Sequence, residues 1–416
     1  MVTPSAGHSR APAAVALLLA AFTLLCFSIW SGRNFVIPHH PFGEAEAAFL
    51  GAENLRIHGW RWAGLQDMST SPDPADHPLL YIHHPNFGLY FSYALNRIGI
   101  SAIETQNAAS FVGTIAGLLL AYLFATRLFG SSLQGFVFCA LLTANVDFIL
   151  NWSFNIHRAF SYASVFGTMY AFMRFAEAGG KSAVWLLLFF VACLTLIGTD
   201  YMFFFWTAIA LATYALLFQT RQSLAALFWI AAVFGTVFAL RQVQVMAGIG
   251  PSEWASDFLF QILNRLHLDH LYPADWLPRT QDFYQRNRIM NPGFSGHMTL
   301  VERAYTLVVG TGEAMLRALG IAEPHKRLSL ATGSLFAVLV AGAIVVERVK
   351  HGRLSQAAKA AFVFFVPCIV MALIFPAYFP NWYRVFLLGH ICIAGWLTAT
   401  VVMLASLRMK EVARPA

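Results

Sequence analysis

The segment after the first apolar run of this chain carries the carboxylates best placed to do chemistry. From Pro38 it reads PHHPFGEAEAAFLGAENL, with Glu44 at the start of a predicted helix and Glu46 two residues later. A carboxylate near the positive N-terminal end of a helix stays ionised. It can then act as a general base or as a ligand for a divalent metal. An ordinary helix-start acid has the same pattern, and this segment alone favours that simpler interpretation.

A second segment places two histidines side by side before an apolar stretch. His83 and His84 precede Pro85 within DHPLLYIHHPNFGLY, which begins at Asp76. Imidazoles titrate near neutral pH, bind metals and donate hydrogen bonds to phosphate. His and Tyr also suit the headgroup depth of a membrane, so interfacial anchoring explains the pair equally well.

The composition indicates that much of the protein surface lies in lipid. The 416 residues are 58% hydrophobic and 11% charged, with a mean hydropathy of +0.61. A soluble domain carries roughly 25% charged residues, so lipid must cover much of this surface. The net charge of +7 is not arranged in a basic stripe with interleaved aromatics, which argues against nucleic acid. The five cysteines lie in apolar stretches without CxxC spacing, and we expect neither disulfides nor zinc.

The apolar segments predict an all-α polytopic membrane protein with about ten transmembrane helices, forming a single membrane domain over residues 1–416. Two long polar intervals, 32–103 and 247–328, interrupt the pattern and must carry structure of their own. We place the spans at 11–30, 104–127, 132–150, 158–176, 183–199, 201–218, 223–246, 330–346, 359–378 and 384–406.

The distribution of Lys and Arg predicts that both termini are cytoplasmic and both long intervals extracytoplasmic. The short outside turns then hold only Arg158 and Arg384, both at helix ends. The short inside segments hold Arg10, Arg127, Arg174, Lys181, Arg221, Arg348, Lys350, Arg353, Lys359, Arg408, Lys410 and Arg414.

Both extracytoplasmic intervals are predicted to carry interfacial helices. His83–Arg97 is short for a span and suits a re-entrant or interfacial helix. In Ser252–Asp269 the residues Trp254, Phe258, Ile262 and Leu266 recur every four positions, as in an amphipathic helix lying on the membrane or roofing the bundle. A further helix is predicted over Ala304–Leu319.

This topology brings the polar residues at the outer helix ends to the face that carries the first interval. Ionisable groups near bilayer depth are costly and usually line a cavity, which predicts one outward-opening polar site. The alternative is that these groups sit in headgroup water. The outer-end residues are Asp147, Asn151, His157, Arg158, Asp200, Arg241, Gln244, Asn381 and Arg384.

Three short motifs follow one another along the chain. Residues Ala52–Gly59 read AENLRIHG, Tyr81–Pro85 read YIHHP, and Gly198–Tyr201 read GTDY. In this order they resemble the GT-C superfamily of membrane glycosyltransferases, some members of which have a Thr-Asp-Trp stretch similar to GTDY. The pattern is most similar to bacterial relatives of the protein O-mannosyltransferases and of the lipid A aminoarabinose transferases.

The resemblance implies transfer of a sugar from a polyprenyl-phosphate-linked donor to a lipid, glycan or protein acceptor on the non-cytoplasmic face. It implies that Glu44, eight residues before Ala52, is the general base, although the family usually has Asp there; Glu46 is the second candidate. His83 and His84 match the loop that borders the donor phosphate. His157, Arg158, Asp200, Arg241 and Arg384 are the further substrate-binding candidates.

One departure from the family leaves alternatives open. Asn155–Arg158 reads NIHR where members often have Asn-His-Glu, so Arg158 replaces the acidic residue and removes a metal ligand or acid. The site is then metal-free, with Arg158 holding phosphate, or the protein is a non-catalytic member of the fold; a divalent metal also stays possible. A lipid or solute transporter is the third interpretation, but no internal repeat is present. The sequon at Asn151 falls in the predicted site, which favours a bacterial inner membrane.

Overall fold

The computed structural model describes residues 44–65, 67, 80, 82, 87–100, 102–143, 156–219, 222–266, 268–286, 299–318, 321, 325–352, 354–374 and 387–412. Within these ranges the regular structure is helical, apart from one isolated antiparallel bridge between Asp67 and Leu80. The first predicted span, 11–30, lies outside the described residues.

Fourteen α-helices and one 3₁₀ turn make up this part of the chain. They are α1 (Glu44–His58), α2 (Phe87–Asn96), α3 (Ala102–Phe129), α4 (Ser132–Thr143), α5 (Ile156–Glu177), α6 (Ala183–Thr199), α7 (Tyr201–Phe218), α8 (Ser223–Ile249), α9 (Pro251–Arg265), the 3₁₀ turn (Asp269–Leu271), α10 (Leu277–Arg286), α11 (Leu300–Ala318), α12 (Lys326–His351), α13 (Gln356–Ile374) and α14 (Leu387–Val412).

Several of these helices have the length and composition of membrane spans, which indicates a helical membrane protein. By these criteria four stretches can cross a bilayer and four more are apolar but shorter, so the number of about ten spans stays a prediction. The four long stretches are Val112–Phe129, Tyr201–Phe218, Ser223–Ile249 and Lys326–Val346. The four shorter ones are Ser132–Thr143, Ala183–Thr199, Gln356–Met371 and Gly389–Ala405.

An aromatic core joins α3, α4, α5 and α13. The ring of Phe124 on α3 lies 5.6 Å from that of Phe166 on α5 and 6.2 Å from that of Phe364 on α13. Phe138 of α4 packs edge-on against Phe166 at 5.7 Å. All four side chains are fully buried. Because large rings in contact contribute both buried area and edge-to-face attraction, they fix these helices against one another.

Charged residues from the predicted cytoplasmic set meet at one end of the bundle. Arg127, near the end of α3, forms an ion pair of 3.0 Å with Glu177 at the end of α5, and Arg174 lies 3.5 Å from the same carboxylate. At the start of α13, Gln356 donates a hydrogen bond to the carbonyl of Leu128 at 3.0 Å. We call this the basic end. The opposite end, where α6 ends and α7 begins, is the polar end.

Two of the helices predicted for the polar intervals are present, α2 within the segment 83–97 and α9 within the second interval, while their position at the membrane interface stays a prediction. α2 has ten residues, about 15 Å of helix, which is too short to cross a hydrocarbon core of about 30 Å. The amphipathic helix predicted over Ser252–Asp269 is confirmed as α9, which begins at Pro251 and ends at Arg265. Proline suits this first position because its missing N–H has no helical acceptor there.

The helix predicted over Ala304–Leu319 is α11, which begins four residues earlier. Thr299 and Glu302 form a capping box: the Thr299 amide donates to the Glu302 carboxylate at 2.7 Å, and the Glu302 amide donates to the Thr299 hydroxyl at 3.3 Å. α11 then packs tightly on α12, since Gly312 lies so near Ser329 that a Cβ would collide with the Ser329 carbonyl. Small residues permit such close crossings between membrane helices.

Candidate functional site

The centre of the polar end is Arg241, a buried arginine near the end of α8. Its Nε–H donates to the hydroxyl of Tyr201 at 2.9 Å, and Nη1 donates to Oε1 of Gln244 at 2.6 Å. Nη2 donates to the carbonyl of Ile82 at 3.4 Å. Only 7% of the residue is exposed. A buried guanidinium needs partners for its planar set of donors, and here they come from three separate segments of the chain.

Gln244, one turn after Arg241, extends this network to the first polar interval. Its Nε2 donates to the carbonyl of Ala63 at 2.9 Å and to the hydroxyl of Tyr90 at 2.5 Å. Tyr90 in turn donates to the carbonyl of Gly64 at 2.9 Å. The first interval is therefore attached to α8 through side-chain bonds to its backbone.

The attached part of the first interval is the turn at residues 59–65. Gly59 and Gly64 have φ of +65° and +73°, a region open to glycine, and the intervening Ala63 has φ of +52°. Gly248 of α8 lies against this turn: a Cβ there would stand 2.8 Å from the Trp62 carbonyl and would collide with the Leu65 side chain. The close approach therefore depends on the absence of a side chain at Gly248.

Asp200 forms the junction between α6 and α7. Its carboxylate accepts hydrogen bonds from the amides of Met202 at 2.6 Å and Phe203 at 3.2 Å, so it caps the N-terminus of α7. It is buried, with 6% of the residue exposed. Beside it, Gly198 packs against Phe87 at the start of α2, where a Cβ would stand 3.2 Å from the Phe87 Cβ. The cap sets where α7 begins and hence where Tyr201 stands.

The predicted bases lie at the beginning of α1, whose backbone is described there while its first side chains are not. Asn96, at the end of α2, donates to Glu53 at 3.3 Å, whereas Trp60 stacks on Tyr90 nearer the start of α2. α1 thus runs antiparallel to α2, and it also contacts α5. Since its 15 residues span about 21 Å, Glu44 lies far along the axis from the turn at residues 59–65.

The structure describes only some of the other predicted site residues. His157 and Arg158 lie in the first turn of α5, just before Phe160, whose ring packs edge-on against Phe87 at 5.0 Å. His83, His84 and Arg384 lie outside the described residues. Among the side chains that are described, no three His, Cys, Asp or Glu residues come together as a metal site.

A cavity of about 330 Å³ opens beside Arg241, between α7, α8 and α9. Its volume is at the lower end of the range for small-molecule sites, about 300–1,000 Å³. Tyr201 of the GTDY motif lines it, and so do three residues that were not among the site residues predicted from the sequence: Asp257, Gln261 and Arg265. The four-residue spacing of the last three along α9 is the signal that could have found them. The lining is Ile82, Tyr201, Phe205, Phe238, Gln242, Val245, Asp257, Phe258, Gln261, Ile262, Arg265 and Leu266.

The buried hydroxyl of Tyr284 attaches α10 to α9. Tyr284 donates to Asp257 at 2.6 Å and accepts a hydrogen bond from Gln261 at 3.0 Å. Burial, with the neighbouring Asp257 charge adding to it, raises the pKa of Tyr284 well above its usual value. Tyr284 therefore stays a hydrogen-bond donor and orients the carboxylate at the cavity wall.

Comparison with known proteins finds a distant similarity among the solved structures. The crystal structure of the oligosaccharyltransferase of Archaeoglobus fulgidus in the apo form matches 95% of this chain and 57% of its own, at 12% sequence identity and a TM-score of 0.42. The chain thus spans little more than half the length of that protein. No family model matches the chain. No curated protein matches it either.

Proposed function

We propose that this chain is an integral membrane glycosyltransferase that moves a sugar from a polyprenyl-phosphate-linked donor to an acceptor on the extracytoplasmic face. The observation that carries the proposal is the position of Arg241, which bonds to both Tyr201 and the Ile82 carbonyl. Tyr201 belongs to the GTDY motif and Ile82 to the YIHHP motif, so two of the three motifs of the family resemblance meet at one arginine.

The proposed reaction needs a base on the acceptor and positive charge on the donor phosphate. Glu44 removes the proton of the acceptor hydroxyl, with Glu46 as the second candidate. The acceptor oxygen then forms a bond to the anomeric carbon of the sugar. The bond between that carbon and the phosphate oxygen breaks, and its electron pair leaves with the polyprenyl phosphate.

The phosphate side of the proposed site is built from histidines and arginines. His83 and His84 follow Ile82 directly in the sequence, and the Ile82 carbonyl accepts a hydrogen bond from Arg241. His157, Arg158 and Arg384 supply further donors to phosphate, and arginine suits this role because its fork matches phosphate oxygens. Arg241 adds its charge to this end. Asp200 contributes indirectly: as the cap of α7 it fixes where this helix begins and hence the position of Tyr201.

The proposed setting is a bacterial inner membrane, with several spans and both termini cytoplasmic. The two polar intervals, 32–103 and 247–328, then form the extracytoplasmic cover of a single membrane domain. A donor with a polyprenyl tail explains why the enzyme lies in a membrane, since the tail can stay in lipid while the sugar phosphate reaches the polar end. The acceptor is a lipid, a glycan or a protein on the same face.

The proposal is tested by assaying transfer with the purified protein, a set of polyprenyl-phosphate sugars and candidate acceptors. Glu44→Gln should lower the rate by about 10²–10⁴-fold, the usual contribution of a general base. Glu53→Gln is the matched control, because Glu53 lies on the same helix in an exposed ion pair with Arg56 and should keep wild-type activity. Repeating the assay with a chelator decides whether a divalent metal takes part.

Two results would contradict the assignment at different levels. Activity that survives both Glu44→Gln and Glu46→Gln would show that neither residue is the base, although the protein would still be a transferase. A wild-type protein that binds the donor lipid and transfers nothing would favour a non-catalytic member of the fold.

A further inference from the structure

The amphipathic helix α9 directs its apolar stripe at a cavity. Phe258, Ile262 and Leu266, spaced by four residues, all line the cavity of about 330 Å³ beneath α9. Trp254, the first member of the stripe, instead stacks on Phe258 at 5.4 Å and donates to Gln242. Side chains four residues apart share one face of a helix, so this face forms the roof of the cavity.

The opposite wall is mainly apolar, with Tyr201 and Gln242 as its polar members. α7 contributes Phe205, and α8 contributes Phe238 and Val245. Ile82 also lines the cavity, and its carbonyl accepts a hydrogen bond from Nη2 of Arg241. The rings of Phe205 and Phe238 lie 5.9 Å apart, which makes a continuous hydrocarbon surface. Along this hydrocarbon surface water finds few partners, because each buried water needs two to four polar groups.

A second stripe of α9 gives the cavity a polar side. Asp257, Gln261 and Arg265 also recur every four residues and line the same cavity, one position before each apolar residue. Arg265 is the one cation among the described lining residues. A ligand that matches this arrangement has a hydrocarbon chain and an anionic head. The bilayer that surrounds a membrane protein supplies molecules of this chemistry at high local concentration.

We propose that the cavity between α7, α8 and α9 binds the hydrocarbon chain of an amphiphile whose phosphate head lies against Arg265. This lipid site does not depend on glycosyl transfer: a transporter or a non-catalytic protein could hold the same ligand. Two sources share the chemistry, a polyprenyl phosphate and an anionic phospholipid of the bilayer. The apolar contacts of the chain provide the affinity, at about 25 cal/mol for each Å² removed from water, and Arg265 sets the direction of the head.

The site is tested by native mass spectrometry of the full chain in detergent, after addition of a polyprenyl phosphate or of phosphatidylglycerol. Ile262→Trp fills the cavity. It should lower the affinity for whichever of the two lipids occupies the cavity about tenfold, which corresponds to about 1.4 kcal/mol. Arg265→Gln removes the charge and should weaken binding of the phosphate lipid by a similar factor. Leu266→Trp is a second filling variant, should Ile262→Trp not fold.

Leu240→Trp is the matched control. It adds the same bulk to α8 two residues after Phe238, about 200° around the helix, where Leu240 is 49% exposed. Binding of both lipids should stay at the wild-type level in this variant.

The outcome of the two lipid arms identifies the source of the ligand. A loss confined to the polyprenyl phosphate assigns the cavity to that lipid, and a loss that includes phosphatidylglycerol assigns it to a bilayer phospholipid. Folded filling variants that bind both lipids as well as the wild type would overturn the proposal. Because this experiment measures binding and not sugar transfer, the lipid site can be disproved while the transferase assay succeeds. The transferase assay can likewise fail while lipid binding to the cavity is confirmed.

Discussion

The Nε–H of Arg241 donates to the hydroxyl of Tyr201 at 2.9 Å, joining the end of α8 to the start of α7. Tyr201 follows Asp200, the cap of α7, and it also lines the cavity under α9. One hydrogen bond thus couples a helix cap, a buried cation and a ligand-sized cavity.

The coupling between Arg241 and Tyr201 should be measurable as a non-additive loss of stability. Arg241→Gln should lower the free energy of unfolding by about 1–3 kcal/mol, because it removes bonds that satisfy buried groups, and Tyr201→Phe by about 1 kcal/mol. The double variant should lose less than the sum, by more than about 0.5 kcal/mol. Thermal unfolding in detergent provides the measurement.

Arg56→Gln is the control for these stability measurements. Arg56 forms an exposed ion pair with Glu53 on α1, and such pairs contribute about 0–1 kcal/mol. Strict additivity of the Arg241 and Tyr201 losses would show that the contact carries no energy of its own.

Adding a methyl group at Gly248 should separate the first interval from α8. Gly248→Ala places a Cβ 2.8 Å from the Trp62 carbonyl, and we expect a loss of about 1–3 kcal/mol from overpacking. Hydrogen exchange at the amides of residues 59–65 should rise. Gly235→Ala, on the same helix with no atom within 4 Å of its added Cβ, should be neutral or stabilising. Equal effects at the two glycines would refute the close contact.

The contact between α9 and α10 should weaken in acid. Hydrogen bonds from Ser252 and Arg279 hold the pKa of Glu253 below its usual 4.5, and Arg279 also lies 3.1 Å from the carboxylate. A depressed pKa means that the ion pair stabilises the fold fully above about pH 4.5 and that this contribution is lost as the pH falls further. The contribution is small, because both side chains are partly exposed.

Hydrogen-exchange protection of α10, corrected for intrinsic rates, should therefore be higher at about pH 6 than at about pH 3. In Glu253→Gln this difference should be smaller than in the wild type, by the part that the Glu253–Arg279 pair contributes. A variant that keeps the full wild-type difference would assign it to other groups.

The orientation of the chain can be checked with alkaline phosphatase fusions. A reporter fused after residue 300 should be active, because the positive-inside rule places the second polar interval outside. A fusion after Lys181, between α5 and α6, should be inactive, since that segment belongs to the predicted cytoplasmic set. The reverse pattern would overturn the assigned orientation and with it the extracytoplasmic site.

Much of the helical layout was predictable because its causes are local. The apolar segments predicted over 183–199 and 201–218 coincide with α6 and α7, since a helix in lipid needs only a run of apolar residues. The four-residue period of Phe258, Ile262 and Leu266 predicted α9 in the same way. The end of α9 at Arg265 was set by the turn that follows it, which the periodicity does not contain.

The sequence by itself determined the membrane class of the protein, its apolar helices and the motifs with candidate acids and histidines, because hydropathy, helical period and charge bias are properties of short windows. Only the tertiary structure decided that Arg241 bonds to residues 40 and 159 positions away, or that α9 roofs a cavity. Those contacts depend on which helices pack together. That choice is made by summed side-chain contacts across the whole bundle, which no single stretch of the chain encodes.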